Sequence, residues 1–476
     1  GENNNSFGYA ALSANTTASN NSAFGHNALL ANTTGADNVA VGAFALDANT
    51  TASNNTAVGI QALTTNTTGT ENTAVGHDAL ADNTTASSNT AVGFSSLANN
   101  TTGQLNTAVG HRSMIVNTDG GFNTAFGAES LEASTSGVNN VAVGWRSQHN
   151  TTTGQQNTSV GTSALAQNTT PNNNTAIGYL ALTSNTTGTS NTAVGSVALD
   201  GNTTGNNNVA VGVSSLGAST TGGQNVAVGD NTLANNTTPS QNTAFGHSAL
   251  FANTTGTQNV AVGSYAADNV TTGNFNTAVG RAALDANTTG SYNTAIGRHA
   301  LLSNTTAGSV TALGNEAGLN STGAGNTFCG SESGKQNTTA TNNSCLGLIA
   351  GSSTTTGSNN TALGYNAQHP SNTSSNNVTL GDSNIGALRC AQTSITSLSD
   401  ERDKTEIIDL PIGLDFINLL KPRKFKWATR EGCNKDGKYE AGFIAQEFQA
   451  VESSTSVDYL KLVLDDNPDK LEAAPN

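Results

Sequence analysis

The stretch NTAVGHDALADNTTASSNTAVG, Asn72–Gly93, ends on the five letters with which it begins, seventeen residues later. The glycine closing that phrase works as a ruler. It falls at Gly8, Gly25, Gly42, Gly59 and Gly76 and recurs every seventeen residues to Gly314. One sixteen-residue step then leads to Gly330, and Gly347, Gly364 and Gly381 resume the longer period. These 23 copies make the chain an array, because a fixed period of this length marks stacked folding units rather than one globular core.

Numbered from its Asn, the unit reads N-T-A-V-G-x-x-A-L-x-x-N-T-T-G-x-x. The fourth position is apolar in every copy, from Phe7, Phe24, Val41, Val58 and Val75 to Leu380, counting Cys329. The third is nearly always Ala, with Phe328, Cys345 and Thr379 as late exceptions, and the ninth is Leu in fifteen of the first eighteen copies. Two short apolar segments bounded by Gly and by Asn-Thr-Thr-Gly suit a coil of two strands. Seventeen residues are too few for a helix–turn–helix repeat, and the apolar spacing is no heptad. The array is therefore predicted to be a mainly β, parallel β-solenoid of about 23 coils, roughly 110 Å long at a strand spacing near 4.8 Å.

Neighbours on a strand point to opposite faces, so the third and fourth positions must face different surroundings. Filling a thin lumen with the larger side chains puts Val75 and Leu80 inside. Ala74 then faces a neighbouring chain, and Asn83, Thr84 and Thr85 form an outer turn. A small residue kept along one strip suits close approach, which predicts a side-by-side homotrimer with the Ala strips on the shared axis. A monomeric solenoid with a tight corner at Ala is the alternative. The late copies change character, Leu giving way to Gly in NEAGLNSTGAGN, Asn315–Asn326. The predicted organisation is a regular array over 1–309, a variant array over 310–390, a linker over 391–398 and a final domain over 399–476.

Composition narrows the function. Charged residues make up 10% of the chain and aromatics 5%, and the net charge of −15 excludes a nucleic-acid partner, which needs a basic face. No apolar run approaches the ~20 residues of a membrane span. Gly1 sits in register inside the first copy, so an upstream continuation is expected. Six of the seventeen basic residues precede residue 391 and eleven follow it, which separates a neutral array from a mixed-charge tail.

Fourteen copies carry Asn-Thr-Thr, from Asn15 to Asn337, and each fits the N-glycosylation acceptor pattern. The competing reading is a ladder of stacked Asn side chains bonding along the solenoid. Ice binding needs Thr at alternate positions of one flat face, whereas adjacent Thr residues point apart. His26, His77, His111 and His247 share the slot after the ruler glycine but never in successive coils, so no metal site and no cofactor are predicted. The cysteines Cys329, Cys345, Cys390 and Cys433 show no C-x-x-C spacing. Cys329 and Cys345 occupy the fourth and third positions of adjacent coils and should face opposite ways, so no disulfide framework is predicted.

From Ser399 the chain reads SDERDKTEIIDLPIGLDFINLLKPRKFKW, followed by EAGFIAQEFQAV. Ser399, Asp400, Arg402, Lys404 and Ile407, then Leu420, Lys421, Pro422 and Phe425, then Gly442, Ile444, Ala445, Gln446 and Glu447 form three blocks in order. They resemble the intramolecular chaperone, or peptidase S74, domain at the C-terminus of phage tail spikes and fibres. Asp403 stands where that family carries Leu and Glu406 where it carries Asn. The chain stops at Asn476, short of the helical region with which the family usually ends. The resemblance implies a small α+β domain that trimerises, sets three chains in register and cuts itself off before the Ser. A serine hydroxyl needs a base, and a desolvated lysine can supply one. Ser399 would attack the carbonyl of Leu398 and Lys404 would take its proton, an autoproteolysis with no external substrate. The competing reading of Ser399 is a polar N-cap ahead of Asp400 and Glu401.

The array itself resembles the head repeats of trimeric autotransporter adhesins of the YadA type, which also write Ala-Val/Ile-Gly in short parallel coils. Together these features predict a homotrimeric fibre of a virion, exposed at its surface, binding a host receptor or glycan. A cellular surface adhesin or extracellular filament subunit is the alternative.

Overall fold

The structure is a computed structural model that describes residues 1–386, 413–426, 437, 439–455, 463–464 and 472–473. The chain divides into two compact units, Gly1–Asp382 and Ser383–Asn476.

The first unit is a parallel β-solenoid. Twenty-three strands of three residues, from β1 (Asn5–Phe7) to β23 (Val378–Leu380), form one sheet in which each strand pairs with that of the next coil. The register is the repeat itself: Thr73 lies opposite Thr90, Ala74 opposite Ala91 and Val75 opposite Val92. The sixteen-residue step leaves this register intact, with Thr311 opposite Thr327 and Ala312 opposite Phe328. The residue is lost from the Thr-Thr turn, where Thr322 runs directly into Gly323 while its hydroxyl still reaches the Thr338 carbonyl of the next coil, 3.0 Å away.

Each coil has one strand, not two. The second apolar segment is a tight turn in which Asp78 and Leu80 both adopt left-handed backbone (φ 56° and 52°), as does Ser88 (φ 61°) before the next strand. A left-handed Leu costs about 1–2 kcal/mol. Offsetting that, Leu80 is fully buried and its N–H donates to the Ser96 carbonyl one coil on, 3.1 Å away. The ruler glycine has a steric cause. Gly76 sits at φ 141°, and a Cβ there would lie 2.3 Å from the Gly93 carbonyl oxygen, so consecutive coils meet backbone to backbone at this corner.

The predicted inside and outside are reversed. Ala74 is fully buried in the lumen beside Leu80, whereas the fourth position points outward, with Val41 38%, Phe24 44% and Phe126 56% exposed. The Val75 assignment to the lumen and the Ala74 assignment to a neighbouring chain are therefore both corrected. The cause is the width of the coil: Leu reaching from the opposite wall leaves room for only a methyl on the strand. The variant coils show the same constraint from the other side. Where Phe328 replaces Ala, the ninth positions around it are Gly318 and Gly334, and a Cβ on Gly334 would fall 2.1 Å from the Phe328 ring. Where Cys345 replaces Ala, Gly351 stands opposite, its Cβ position 2.5 Å from the sulfur.

The outer-turn placement of Asn83 is also corrected. Two ladders of Asn run inside the coil. Asn83 donates to the Asn66 Oδ1 of the previous coil (2.9 Å) and to the Ala86 carbonyl (3.0 Å). Asn72 donates to Asn55 Oδ1 (3.2 Å) and to the same Ala86 carbonyl (2.9 Å). Buried amides are tolerable when they are bonded as Asn72 and Asn83 are. Thirteen of the fourteen Asn-Thr-Thr asparagines are at most 1% exposed, which favours the ladder over a glycan site; Thr84 is half-buried and Thr85 exposed.

The apolar core falls into two clusters, one running from Ala23 to Ala142 and the other from Ala164 to Ala367. Between them Ser147, Gln148 and Ser159 occupy lumen positions, and Gln148 donates to the carbonyl of Val141 (2.9 Å) and to Ser159 Oγ (3.0 Å).

The second unit is α+β. It contains α1 (Leu414–Leu419), an antiparallel pair of β24 (Arg423–Lys426) and β25 (Tyr439–Gly442), α2 (Ala445–Thr455), and a short pair of β26 (Val463–Leu464) and β27 (Glu472–Ala473). Among the described residues no helix is long and apolar enough to cross a membrane.

Candidate functional site: the C-terminal segment and the outer face of the array

Leu398, Ser399 and Lys404, the predicted cleavage site and dyad, lie outside the described residues, as does the whole first motif block. The second and third blocks are described, and the fold brings them together. Lys421 and Pro422 lead into β24, whose Arg423 faces Glu447 in the first turn of α2. The pair is bidentate: Arg423 Nη2 lies 2.6 Å from Oε1 and Nε lies 2.9 Å from Oε2. The Arg423 guanidinium holds the Glu447 carboxyl below the usual carboxylate range. Phe425 on β24 closes on Gly442 at the end of β25, where a Cβ would touch the ring at 3.4 Å. Phe416 of α1 and Phe448 of α2 are buried, and Phe443 packs on Phe448 with ring centroids 4.7 Å apart. Lys424 and Lys426 both lie over the Tyr439 ring, 5.2 and 5.8 Å from its centroid. Sequence reasoning missed Arg423, which occupies an unspecified position of the Leu-Lys-Pro-x-x-Phe block. The signal available was a basic residue on a strand ahead of an acid opening a helix.

On the array, the outer strand face carries Thr or Val at the second position, except for Asn5, Ser22 and Ser344, and Val, Phe, Ile or Leu at the fourth, except for Cys329, from β1 to β23. Next to it, the slot after the ruler glycine stacks rings across coils: His77, Phe94 and His111 follow one another at 5.5 Å with nearly parallel planes. The histidines therefore pack as aromatic rungs.

Charge is concentrated where Arg112, Glu129, Glu132, Arg146 and His149 project from three consecutive coils. Arg112 pairs with Glu132 at 2.7 Å, Arg146 with Glu129 at 3.2 Å, and His149 lies 3.1 Å from Glu132. Ligand atoms of Glu129, Glu132 and His149 all fall within 4.8 Å of one another. Both carboxylates already have an arginine partner, so a metal ion there would meet like charge, and the group reads as an ion-pair network. Cys329 is partly exposed and Cys345 buried, both free, facing opposite sides as the alternation requires. Burial pushes the Cys345 thiol up to about 12.

Comparison with known proteins bears on the tail alone. Residues 399–457 match the Peptidase_S74 family, described as the chaperone of endosialidase. No curated protein matches the chain. The match begins at the serine that opens the first block and includes the Arg423–Glu447 clamp between the second and third. The chain is a parallel β-solenoid followed, at residues 399–457, by a peptidase S74 segment of the kind associated with trimeric fibre and tail-spike-like proteins.

Proposed function

We propose that the chain forms the shaft of a homotrimeric fibre, a virion appendage used in host attachment, whose C-terminal segment assembles the trimer and then cleaves itself off. The observation that carries this reading is the family match at residues 399–457, C-terminal to a solenoid whose outward fourth position is apolar in every coil.

The array explains why such a partner is needed. Identical coils offer many near-equivalent staggers between chains, so the repeats specify inter-chain register poorly. Strand edges exposed during folding also invite aggregation. A C-terminal clamp that aligns three chains once would let the shaft zip from that end. The surface available for the seam is the Thr/Val–Val/Phe face of the strands, since the Ala strip is inside. An apolar side chain repeated along an exposed strand face from coil to coil suits an interaction site.

In the proposed cleavage, Ser399 Oγ attacks the Leu398 carbonyl carbon and its proton passes to neutral Lys404 Nζ. The peptide nitrogen leaves as the Ser399 α-amine, and water hydrolyses the ester that remains. The organisation proposed is a regular array over 1–309, a variant array over 310–390, a linker over 391–398 and the chaperone over 399–476.

The test is expression of the full chain, wild type beside Ser399→Ala and Lys404→Ala. Cleavage after Leu398 in the wild type alone, by intact mass, supports the dyad; cleavage that survives Ser399→Ala sinks it. A monomer by light scattering before and after cleavage refutes the fibre.

A further inference from the structure

The inner Asn ladder follows a rule, and its interruptions are informative. At the twelfth position the amides of Asn49, Asn66, Asn83, Asn100, Asn117, Asn185, Asn202 and Asn253 each donate twice, to the Oδ1 of the previous coil and to a carbonyl three residues on, as Asn83 does to Asn66 and Ala86. When the next coil lacks Asn, one Oδ1 and one carbonyl lose that donor. Ser134 and Thr151 interrupt the ladder in consecutive coils, Ser219 interrupts it alone and Val270 interrupts it without a hydroxyl; in the variant coils Ser321, whose Oγ bonds Asn337 Oδ1 at 3.3 Å, and Thr354 interrupt it too.

The orphaned atoms fall where the rule predicts. Asn117 Oδ1, Ser134 Oγ and Thr151 Oγ1 are buried with no protein partner, and so are Asn202 Oδ1 and Ser219 Oγ. Ser134, Thr151 and Ser219 are all fully buried. The carbonyls that position-twelve amides would reach, Gly137, Gly154 and Gly222, each accept a single bond from the other Asn ladder, at 2.8 Å. An unmade bond to a buried polar group is costly, and the usual native remedy is an internal water with about three partners.

We propose that the lumen binds ordered water at Ser134, Thr151 and Ser219, the water standing in for the missing carboxamide. At Ser219 one water donates its two hydrogens to Asn202 Oδ1 and the Gly222 carbonyl and accepts from the Ser219 hydroxyl. Those two donations are the ones a carboxamide makes at this position. Ser134 and Thr151 hold a short column in the same way. Serine is smaller than asparagine, which leaves the space at Ser134 and Ser219, and Thr151 continues the column through its hydroxyl; Val270, the isostere of threonine, offers no hydroxyl, so its site stays dry. The oxygens concerned are neutral and no carboxylate shares the lumen with them, which favours water over a cation.

The experiment is structure determination of the full-length protein at a resolution showing ordered water, for wild type and Ser219→Asn. Density bonded to Ser219, Ser134 and Thr151 and none beside Val270 is the expected wild-type result. In Ser219→Asn the water at that coil should be gone, the introduced carboxamide should bond to Asn202 Oδ1 and the Gly222 carbonyl, and the melting temperature should rise. Dry lumen at Ser219 in a map that resolves other waters overturns the proposal. So does a fall in melting temperature with Ser219→Asn, or anomalous signal at the site after soaking with thallous ion, which would make the occupant a cation.

Discussion

Replacing Gly334 by Leu restores the consensus letter of the ninth position, yet it should destabilise its coil. The backbone is not the obstacle: Gly334 sits at φ 59°, close to the 52° that Leu80 adopts. The obstacle is Phe328, since a Cβ at Gly334 would lie 2.1 Å from two of its ring carbons, and one at Gly318 would lie 2.6 Å from another. Overpacking of this kind costs roughly 1–3 kcal/mol. Phe328→Ala alone empties the lumen between two glycines that cannot fill it, at a cost of about 3–5 kcal/mol. Independent sites would add to about 4–8 kcal/mol. Phe328→Ala with Gly334→Leu instead recreates the pairing of Ala91 with Leu97, and should lose no more than about 2 kcal/mol, the remainder reflecting Gly318. Amide exchange by mass spectrometry over residues 311–364, with residues 73–110 as an internal reference, reads the local opening free energies. Additive losses in the double variant, or a tolerated Gly334→Leu, would refute the claim that lumen width sets the strand's inner residue.

Two further outcomes check the orientation of the coil and the clamp in the tail. Lysines in place of Val58, Val75 and Val92 should leave the coils folded by circular dichroism but dissociate the proposed trimer, whereas Ala74→Lys puts an unpaired charge in the lumen and should unfold its neighbourhood; the opposite pattern would restore the Ala-outward reading. In the tail, Glu447 has a folded-state value lowered by Arg423 relative to its ordinary 4.5. The clamp's contribution is therefore complete above about pH 4.5 and is lost as pH falls through the lowered value. Protection of amides in Ala445–Thr455, corrected for intrinsic exchange, should show that acid loss in the wild type and not in Arg423→Gln; an identical pH profile in both would rule the clamp out.

The candidate site was legible unevenly. The three blocks of the tail could be matched letter by letter, and the family comparison covers the same stretch. Arg423 could not be found that way, because its role depends on β24 and α2 meeting across a separation of twenty-four residues. The ion-pair network of Arg112, Glu129, Glu132, Arg146 and His149 was equally hidden, its members looking ordinary until three coils are stacked.

For the array, the letters alone determined the period, the number of coils, the parallel register and the corner glycines, because each is a local consequence of one unit meeting its copy. Alternation along Thr73-Ala74-Val75 likewise required that Ala and Val face opposite sides. Which side was inside could not follow from alternation, since either choice satisfies a period of two. That was settled by the far wall of the coil, where Leu80 fills the lumen to within a methyl of the strand, and by the paired substitution of Phe328 with Gly318 and Gly334. The tertiary structure thus turned the apolar residue of NTAVG outward and the asparagine of Asn-Thr-Thr inward, because volume in a closed coil is shared between walls that the sequence writes several residues apart.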